Sequence, residues 1–341
     1  MIQHNLQISN KIDLYRGFLC QYVIFSHLIP TLFPAILGTP GTLAVWCFFI
    51  ISGYLNYYSY LNSNSVKEYF LKRMKRLYPL LFISYLVIAY IEKNPFINDL
   101  YTLVPAVIKV KESMPLNGVL WTIVIELQLY LLTPLLFQTW KILDRYRNTT
   151  PLKLVLIFGA CSIILAGASS RVIVRLYDFD DRMIFSAIPF YLYGMFIARN
   201  GRHHYSITDK ENKLFFMVAL ILFIFVVFTR NFGGLWSHLF IEGRFVPFLM
   251  SAAILCYAGF SVRARGVKNF FVLLGKATYE IYLFHGFFVY FLYKVTPFEN
   301  QKIWVVTFFW VLPVLFGLVF FGLTKKMPWI KNRQLKERVA A

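Results

Sequence analysis

The chain has 341 residues, of which 58% are apolar, 19% aromatic and only 15% charged, with a formal net charge of +19. A water-soluble domain sits near half apolar and a quarter charged, so a soluble enzyme and a disordered protein are excluded. A porin-like barrel is excluded too, because its strands need polar residues at every second position. The basic excess would suggest nucleic acid in a soluble protein, but cytoplasmic loops of membrane proteins collect Lys and Arg. A lipid bilayer, not nucleic acid, is the expected partner.

Apolar segments fall at 12–29, 41–58, 77–91, 119–137, 153–169, 184–198, 214–229, 245–260, 277–293 and 303–323. Helices are the default, since each backbone group in lipid must find its partner within the segment. The expected fold is all-α: a polytopic integral membrane bundle of about ten transmembrane helices in a single domain, 1–341. With the N-terminus in the cytoplasm, the inside segments hold 24 basic residues and the outside segments 10, with Arg16 inside the first span. That asymmetry follows the positive-inside rule and places both termini in the cytoplasm.

The first span reads as a retained helix rather than a removed signal peptide, because Asp13 and Arg16 interrupt its start. Arg16 and His27 are eleven residues apart, three turns, so they share a face with Arg16 toward the cytoplasm and His27 about 16 Å outward. One helix face thus carries an anion-binding group at one end and a titratable base at the other. In the second span, Phe48-Phe-Ile-Ile-Ser52-Gly53-Tyr54 puts small residues at mid-depth, which suits close helix approach or a broken helix.

The third span opens with Lys72-Arg73-Met-Lys-Arg76-Leu-Tyr-Pro79. Arg73 and Arg76 project together on a helix. They are either ordinary positive-inside charge or a phosphate clamp, since guanidinium forks fit phosphate oxygens. In the fourth span, Thr122, Glu126, Tyr130 and Thr133 recur at helical spacing as one polar stripe, with Trp121 marking the outer interface. Glu126 then lies about 7–8 Å into the bilayer. An ionisable group there costs at least about 2.5 kcal/mol and lines a cavity or has a partner; a helix-gluing role fits the threonines better. His27 and Glu126 fall at the same outer depth on separate helices, which favours a catalytic reading of both.

Late in the chain, Gly275-Lys-Ala-Thr-Tyr-Glu-Ile-Tyr-Leu-Phe-His285 places His285 near mid-membrane with Thr278 and Tyr282 on roughly its own face. The basic tail 324–341 reads as a stop-transfer and lipid-headgroup anchor. Cys20, Cys47, Cys161 and Cys256 are far apart in apolar runs, so neither a disulfide framework nor a metal site is expected.

Taken in order, these segments resemble the acyltransferase-3 family of integral membrane acyltransferases. The matching elements are Asp13-x-x-Arg16 with His27, Phe49-x-x-Ser52-Gly53-Tyr54, Arg73-x-x-Arg76-x-x-Pro79, Trp121 with Glu126, Tyr130 and Pro134, Tyr193-Gly194, and Gly275 through His285. The resemblance implies ten helices, a cytoplasmic acyl-coenzyme A donor and, often, a sugar acceptor on the far side. It also links Arg16, His27, Arg73, Arg76 and Glu126 to activity. Two departures are visible: Thr122 follows the tryptophan where relatives commonly have serine, and the chain ends about eighteen residues past the last span. The hydrolase-like periplasmic domain of longer members is therefore expected to be missing.

Acyl transfer to a hydroxyl needs an activated oxygen and stabilisation of the oxyanion. The expected catalytic residues are His27, Glu126 and Arg16. His27 removes the acceptor proton, with Glu126 orienting it or stabilising its cation, or carries the acyl group itself. Arg73 and Arg76 are expected to hold the coenzyme A phosphates. Ser52, Trp121, Tyr130 and His285 are the candidate pocket residues. Acetyl is the acyl group the family favours, so acetyl-CoA is the expected donor. The expected acceptor is a bacterial surface polysaccharide or its lipid-linked precursor, with polysaccharide-assembly proteins as further partners at the inner membrane. The competing class is a transporter or flippase for lipid-linked sugars; against it stand the lack of an internal repeat and the one-sided clustering of paired arginines. A membrane interaction protein without chemistry would leave His27 and Glu126 unexplained.

Overall fold

The structure, a computed structural model, describes residues 2–32, 41–92, 120–139, 157, 184–200, 269–295 and 303–325. Among these, all regular secondary structure is helical. In chain order the helices are α1 (Ile2–Leu32), α2 (Gly41–Leu61), α3 (Val66–Glu92), α4 (Trp121–Gln138), α5 (Ile184–Asn200), α6 (Asn269–Lys276), α7 (Thr278–Val295) and α8 (Ile303–Lys325). They coincide with seven of the expected spans; those at 153–169, 214–229 and 245–260 lie outside the described residues, Ile157 excepted. By length and apolarity, the helices at Trp121–Gln138 and Ile303–Thr324 are candidate membrane crossings. Pro79, Pro134, Pro189 and Pro313 all sit inside helices, where a bundle tolerates the lost N–H because neighbours re-satisfy the freed carbonyls.

Three elements differ from the sequence reading. Helix α1 starts at Ile2, ten residues before the expected span at 12–29. Helix α3 starts well before residue 77, because a Ser-x-x-Glu cap sets its N-terminus. Ser65 Oγ accepts from the Glu68 N–H at 3.1 Å, and Glu68 Oε2 accepts from the Asn64 N–H at 2.9 Å. The Lys72 ammonium, 2.7 Å from Glu68 Oε1, and that backbone donor hold the Glu68 carboxyl below its usual range. Helix α6 occupies what the charge pattern assigns to a cytoplasmic loop. It has buried Leu274 and Gly275 on one side and exposed Phe270, Leu273 and Lys276 on the other.

The described helices group into two compact units, one from residues 1–41 and 258–341 and one from 42–257. In the first, α1 and α6 touch backbone to backbone. A Cβ on Gly17 would lie 2.4 Å from the Phe271 carbonyl oxygen, and one on Gly275 would lie 1.5 Å from that of Asp13. The Phe18 and Phe271 rings stack at 4.3 Å beside this crossing. Gly317 lets α8 close on Ile281 of α7, and Phe284 packs against Phe316 and Phe320. Trp310 Nε1 donates to Gln21 Oε1 at 3.1 Å, fastening α8 to α1.

In the second unit the crossing is between α2 and α5. A Cβ on Gly53 would lie 2.0 Å from the Tyr191 carbonyl oxygen, and one on Gly194 would lie 1.9 Å from that of Ile50. Helix α2 runs unbroken from Gly41 to Leu61, so Ser52-Gly53 serves close approach rather than a break. Trp46 stacks on Phe190 at 4.8 Å, and Tyr58 donates to the Ala198 carbonyl at 2.7 Å. Lipid is as apolar as a neighbouring helix, so such crossings are held by tight contact and hydrogen bonds more than by burial.

Candidate active site

In the second unit, four helices bring polar side chains to one place. The α4 stripe supplies Glu126, Tyr130 and Thr133 at intervals of four and three residues, one face of a helix. Glu126 Oε1 accepts from the Ser52 hydroxyl of α2 at 3.1 Å and from the Tyr130 hydroxyl through a short hydrogen bond. Its Oε2 takes no hydrogen bond from the described residues. Among the described residues, one carboxylate oxygen is therefore held by two hydroxyls and the other by none.

Asn56, one turn after Ser52 and fully buried, donates from Nδ2 to the Ser52 carbonyl at 2.8 Å and to Ser52 Oγ at 3.0 Å. Its Oδ1 lies 3.0 Å from the Tyr69 hydroxyl of α3. Tyr69 is also 3.1 Å from Thr133 Oγ1, which in turn lies 2.6 Å from the Tyr191 hydroxyl of α5 and donates to the Leu129 carbonyl at 2.8 Å. In an apolar surround each of these groups is costly to leave unpaired.

Arg73 closes this cluster. Its guanidinium lies 5.8 Å from the Tyr69 ring centroid and 5.3 Å from that of Tyr130, within cation–π range. The residue is 7% exposed. Among the described residues no carboxylate lies within ion-pair distance, and its Nε has no hydrogen-bond partner. A buried cation without a paired carboxylate is a candidate for binding an anion. Arg76, three residues on, is exposed, yet acts on the Tyr130 hydroxyl electrostatically alongside Arg73. Trp121 opens α4 and is partly exposed.

The first unit holds the other candidates. Arg16 lies 3.5 Å from the Asp13 carboxylate one turn before it. The His27 and His285 rings are 5.6 Å apart, joining α1 to α7. His285 is fully buried, with Tyr282 beside it at 4.9 Å. Its Nδ1 is 2.5 Å from the Tyr282 carbonyl oxygen. That acceptor requires Nδ1 to carry the proton, which leaves the buried Nε2, without a partner among the described residues, as a lone-pair acceptor.

The structure thus joins Ser52, Glu126, Tyr130 and Arg73 in one unit, and His27 with His285 in the other. Arg76 and Trp121 stand toward the surface of their helices. Sequence reasoning missed Asn56, Tyr69 and Tyr191. The only trace of the first two is spacing, Asn56 four residues after Ser52 and Tyr69 four before Arg73. No cluster of three metal-ligating side chains occurs among the described residues.

Comparison with known proteins gives this geometry a family. The family described as "Acyltransferase domain" matches residues 9–324, nearly the whole chain. The chain belongs to that family. It is 26% identical over 263 residues to "Nodulation protein 10" of Rhizobium leguminosarum bv. viciae, covering 65% of this chain and 68% of that protein. It is 25% identical over 286 residues to "Putative acetyltransferase ORF330" of Acidianus two-tailed virus, covering 81% of this chain and 82% of that protein. No solved structure matches the chain.

Proposed function

We propose that this membrane acyltransferase moves an acyl group, acetyl by preference, from cytoplasmic acyl-coenzyme A to a sugar hydroxyl. The acceptor is a cell-surface polysaccharide or its lipid-linked precursor, and the enzyme sits as a multi-pass protein, its termini inside, in a bacterial inner membrane. The observation that carries the reading is the buried Arg73 guanidinium, which lacks a carboxylate among the described residues and shares Tyr130 with Glu126. A thioester donor with several phosphates supplies the anion that this site calls for.

In this mechanism Arg73 binds a donor phosphate, and the exposed Arg76 adds charge at the rim. The acceptor hydroxyl loses its proton to His27 as its oxygen attacks the thioester carbonyl. The tetrahedral intermediate collapses, the carbon–sulfur bond breaks, and the coenzyme A thiolate takes a proton back. Arg16 and Glu126 stabilise charge during the transfer, with Glu126 acting through Oε2.

Isotope-labelled acetyl-coenzyme A given to the purified chain in nanodiscs, together with candidate glycans, tests this. The expected result is label on the glycan and free coenzyme A in equal amounts. Glycan movement across the bilayer without donor, and no label transfer, would establish a transporter instead. Label retained on the protein after acid quench would place the acyl group on a side chain before transfer.

A further inference from the structure

We propose that Asn56 and Tyr69 are positioning residues for the Glu126 carboxylate, acting through the Ser52 hydroxyl. The inference rests on the reading that Glu126 serves acyl transfer.

A serine inside a helix ordinarily donates its one proton to the carbonyl a turn earlier. Ser52 does not; its hydroxyl reaches Glu126 Oε1 at 3.1 Å. Asn56 explains the difference. Its Nδ2 donates to Ser52 Oγ at 3.0 Å as well as to the Ser52 carbonyl at 2.8 Å. With an N–H pointing at one lone pair of Oγ, the Ser52 proton is directed away from Asn56 and toward the carboxylate. The amide orientation is itself fixed, because turning it over would set Oδ1 against the Ser52 carbonyl, oxygen against oxygen. In that orientation the Tyr69 hydroxyl donates to Oδ1 at 3.0 Å.

Donation therefore runs one way, from Tyr69 to Asn56 to Ser52 to Glu126. Tyr130 donates to the same Oε1 from within α4. Two O–H groups on one oxygen fix the plane of the carboxylate and leave Oε2 as the oxygen that meets the reacting group. Asn56 is fully buried and Tyr69 likewise, and neither hydrogen-bonds to the carboxylate, so their hydrogen bonds reach it through Ser52. Tyr69 also lies beside the Arg73 guanidinium. The anion site and the carboxylate are thus served by the same tyrosine.

The test is a double-mutant cycle on the full chain in nanodiscs, reading kcat and donor KM for acyl transfer. Asn56→Asp keeps the shape and exchanges the N–H donor for an acceptor, which draws the Ser52 proton away from Glu126. A hydrogen bond to a charged group is lost, so kcat is expected to fall about tenfold or more, with donor KM within about twofold of wild type. In a Ser52→Ala background the same change should cost less than about twofold, since the chain is already cut. Tyr69→Phe removes only the hydroxyl and should lower kcat several-fold with the same non-additivity, and it decides the matter alone where Asn56→Asp does not insert. Losses that multiply in the Ser52→Ala background, losses carried by KM, or wild-type kcat in both variants would overturn the positioning role. Glu126→Gln separates the two levels. Wild-type turnover in that variant ends the catalytic reading of Glu126 and this proposal with it, whereas impaired turnover there with multiplicative Asn56 losses ends only the role of Asn56 and Tyr69.

Discussion

Replacing Arg73 by lysine keeps a positive charge at the proposed phosphate site and removes the planar fork. The structure sets the size of the effect. Arg73 is 7% exposed between Tyr69 and Tyr130, whereas Arg76 on the same helix is exposed. A lysine retains some attraction to the two rings but can offer a phosphate only a point charge. Losing one charge-assisted hydrogen bond at a desolvated site costs about 1.5–3 kcal/mol, or roughly 10–150-fold in affinity for coenzyme A. The same change at exposed Arg76 removes an interaction worth about 0–1 kcal/mol, so binding should weaken less than about fivefold. Equilibrium binding of coenzyme A to each purified variant in nanodiscs, at low and at physiological salt, measures both. Equal losses at the two positions would refute the distinction between buried and rim arginine. Wild-type binding by the double variant Arg73→Ala, Arg76→Ala would leave the pair as charges that only orient the helix.

Three further outcomes follow from the structure. His27→Ala should cut turnover by about 10²–10⁴-fold with folded protein retained, the range for loss of a general base; wild-type turnover would end the catalytic reading of α1. Gly194→Ala must push a Cβ out from 1.9 Å to the Ile50 carbonyl, an overlap with backbone that no rotamer change relieves. It should destabilise the second unit by about 1–3 kcal/mol, read as a lower midpoint of thermal unfolding in detergent, and an unchanged midpoint would refute the tight crossing. Single cysteines placed at 72–76 and at 263–268, in a chain lacking Cys20, Cys47, Cys161 and Cys256, should be labelled only from the cytoplasm, and labelling from outside intact cells would reverse the orientation.

The parts legible in the sequence were those that depend on position along one helix. Hydropathy located α2, α4, α5, α7 and α8 to within a few residues but missed the first ten residues of α1, and helical spacing identified Thr122, Glu126, Tyr130 and Thr133 as one face. Gly53 next to Ser52 announced a close approach, which the Gly53–Tyr191 contact realises. What hydropathy missed were charged helices. The first turns of α3 carry Lys67, Glu68 and Lys72, and the Ser65-x-x-Glu68 cap that starts them went unread. Helix α6, eight residues preceded by Lys268 and ending in Lys276, is too short to register as a span.

Depth could be computed from rise per residue, but which helices adjoin could not. Glu126 and His27 were both identified as misfits at one depth, while the hydrogen-bond partners of Glu126 proved to be Ser52 and Tyr130, and the ring beside His27 that of His285. Asn56 and Tyr69 were invisible for the same reason. A polar residue one turn from another looks like ordinary helix surface until the neighbouring helix is known.

The Tyr69, Thr133 and Tyr191 hydroxyls bring three protons to four hydrogen-bonding separations: Tyr69 to Asn56 Oδ1, Tyr69 to Thr133, Thr133 to the Leu129 carbonyl, and Thr133 to Tyr191. The count does not balance, since each hydroxyl can donate only once. With Thr133 donating to Leu129 and Tyr191 to Thr133, the single Tyr69 proton must choose between acceptors at 3.0 and 3.1 Å. Thr133 Oγ1 still accepts from Tyr191 when Tyr69 turns to Asn56, whereas Asn56 Oδ1 has no other donor among the described residues. The proton count therefore assigns the Tyr69 hydroxyl to Asn56. That assignment completes the line of donors to Glu126.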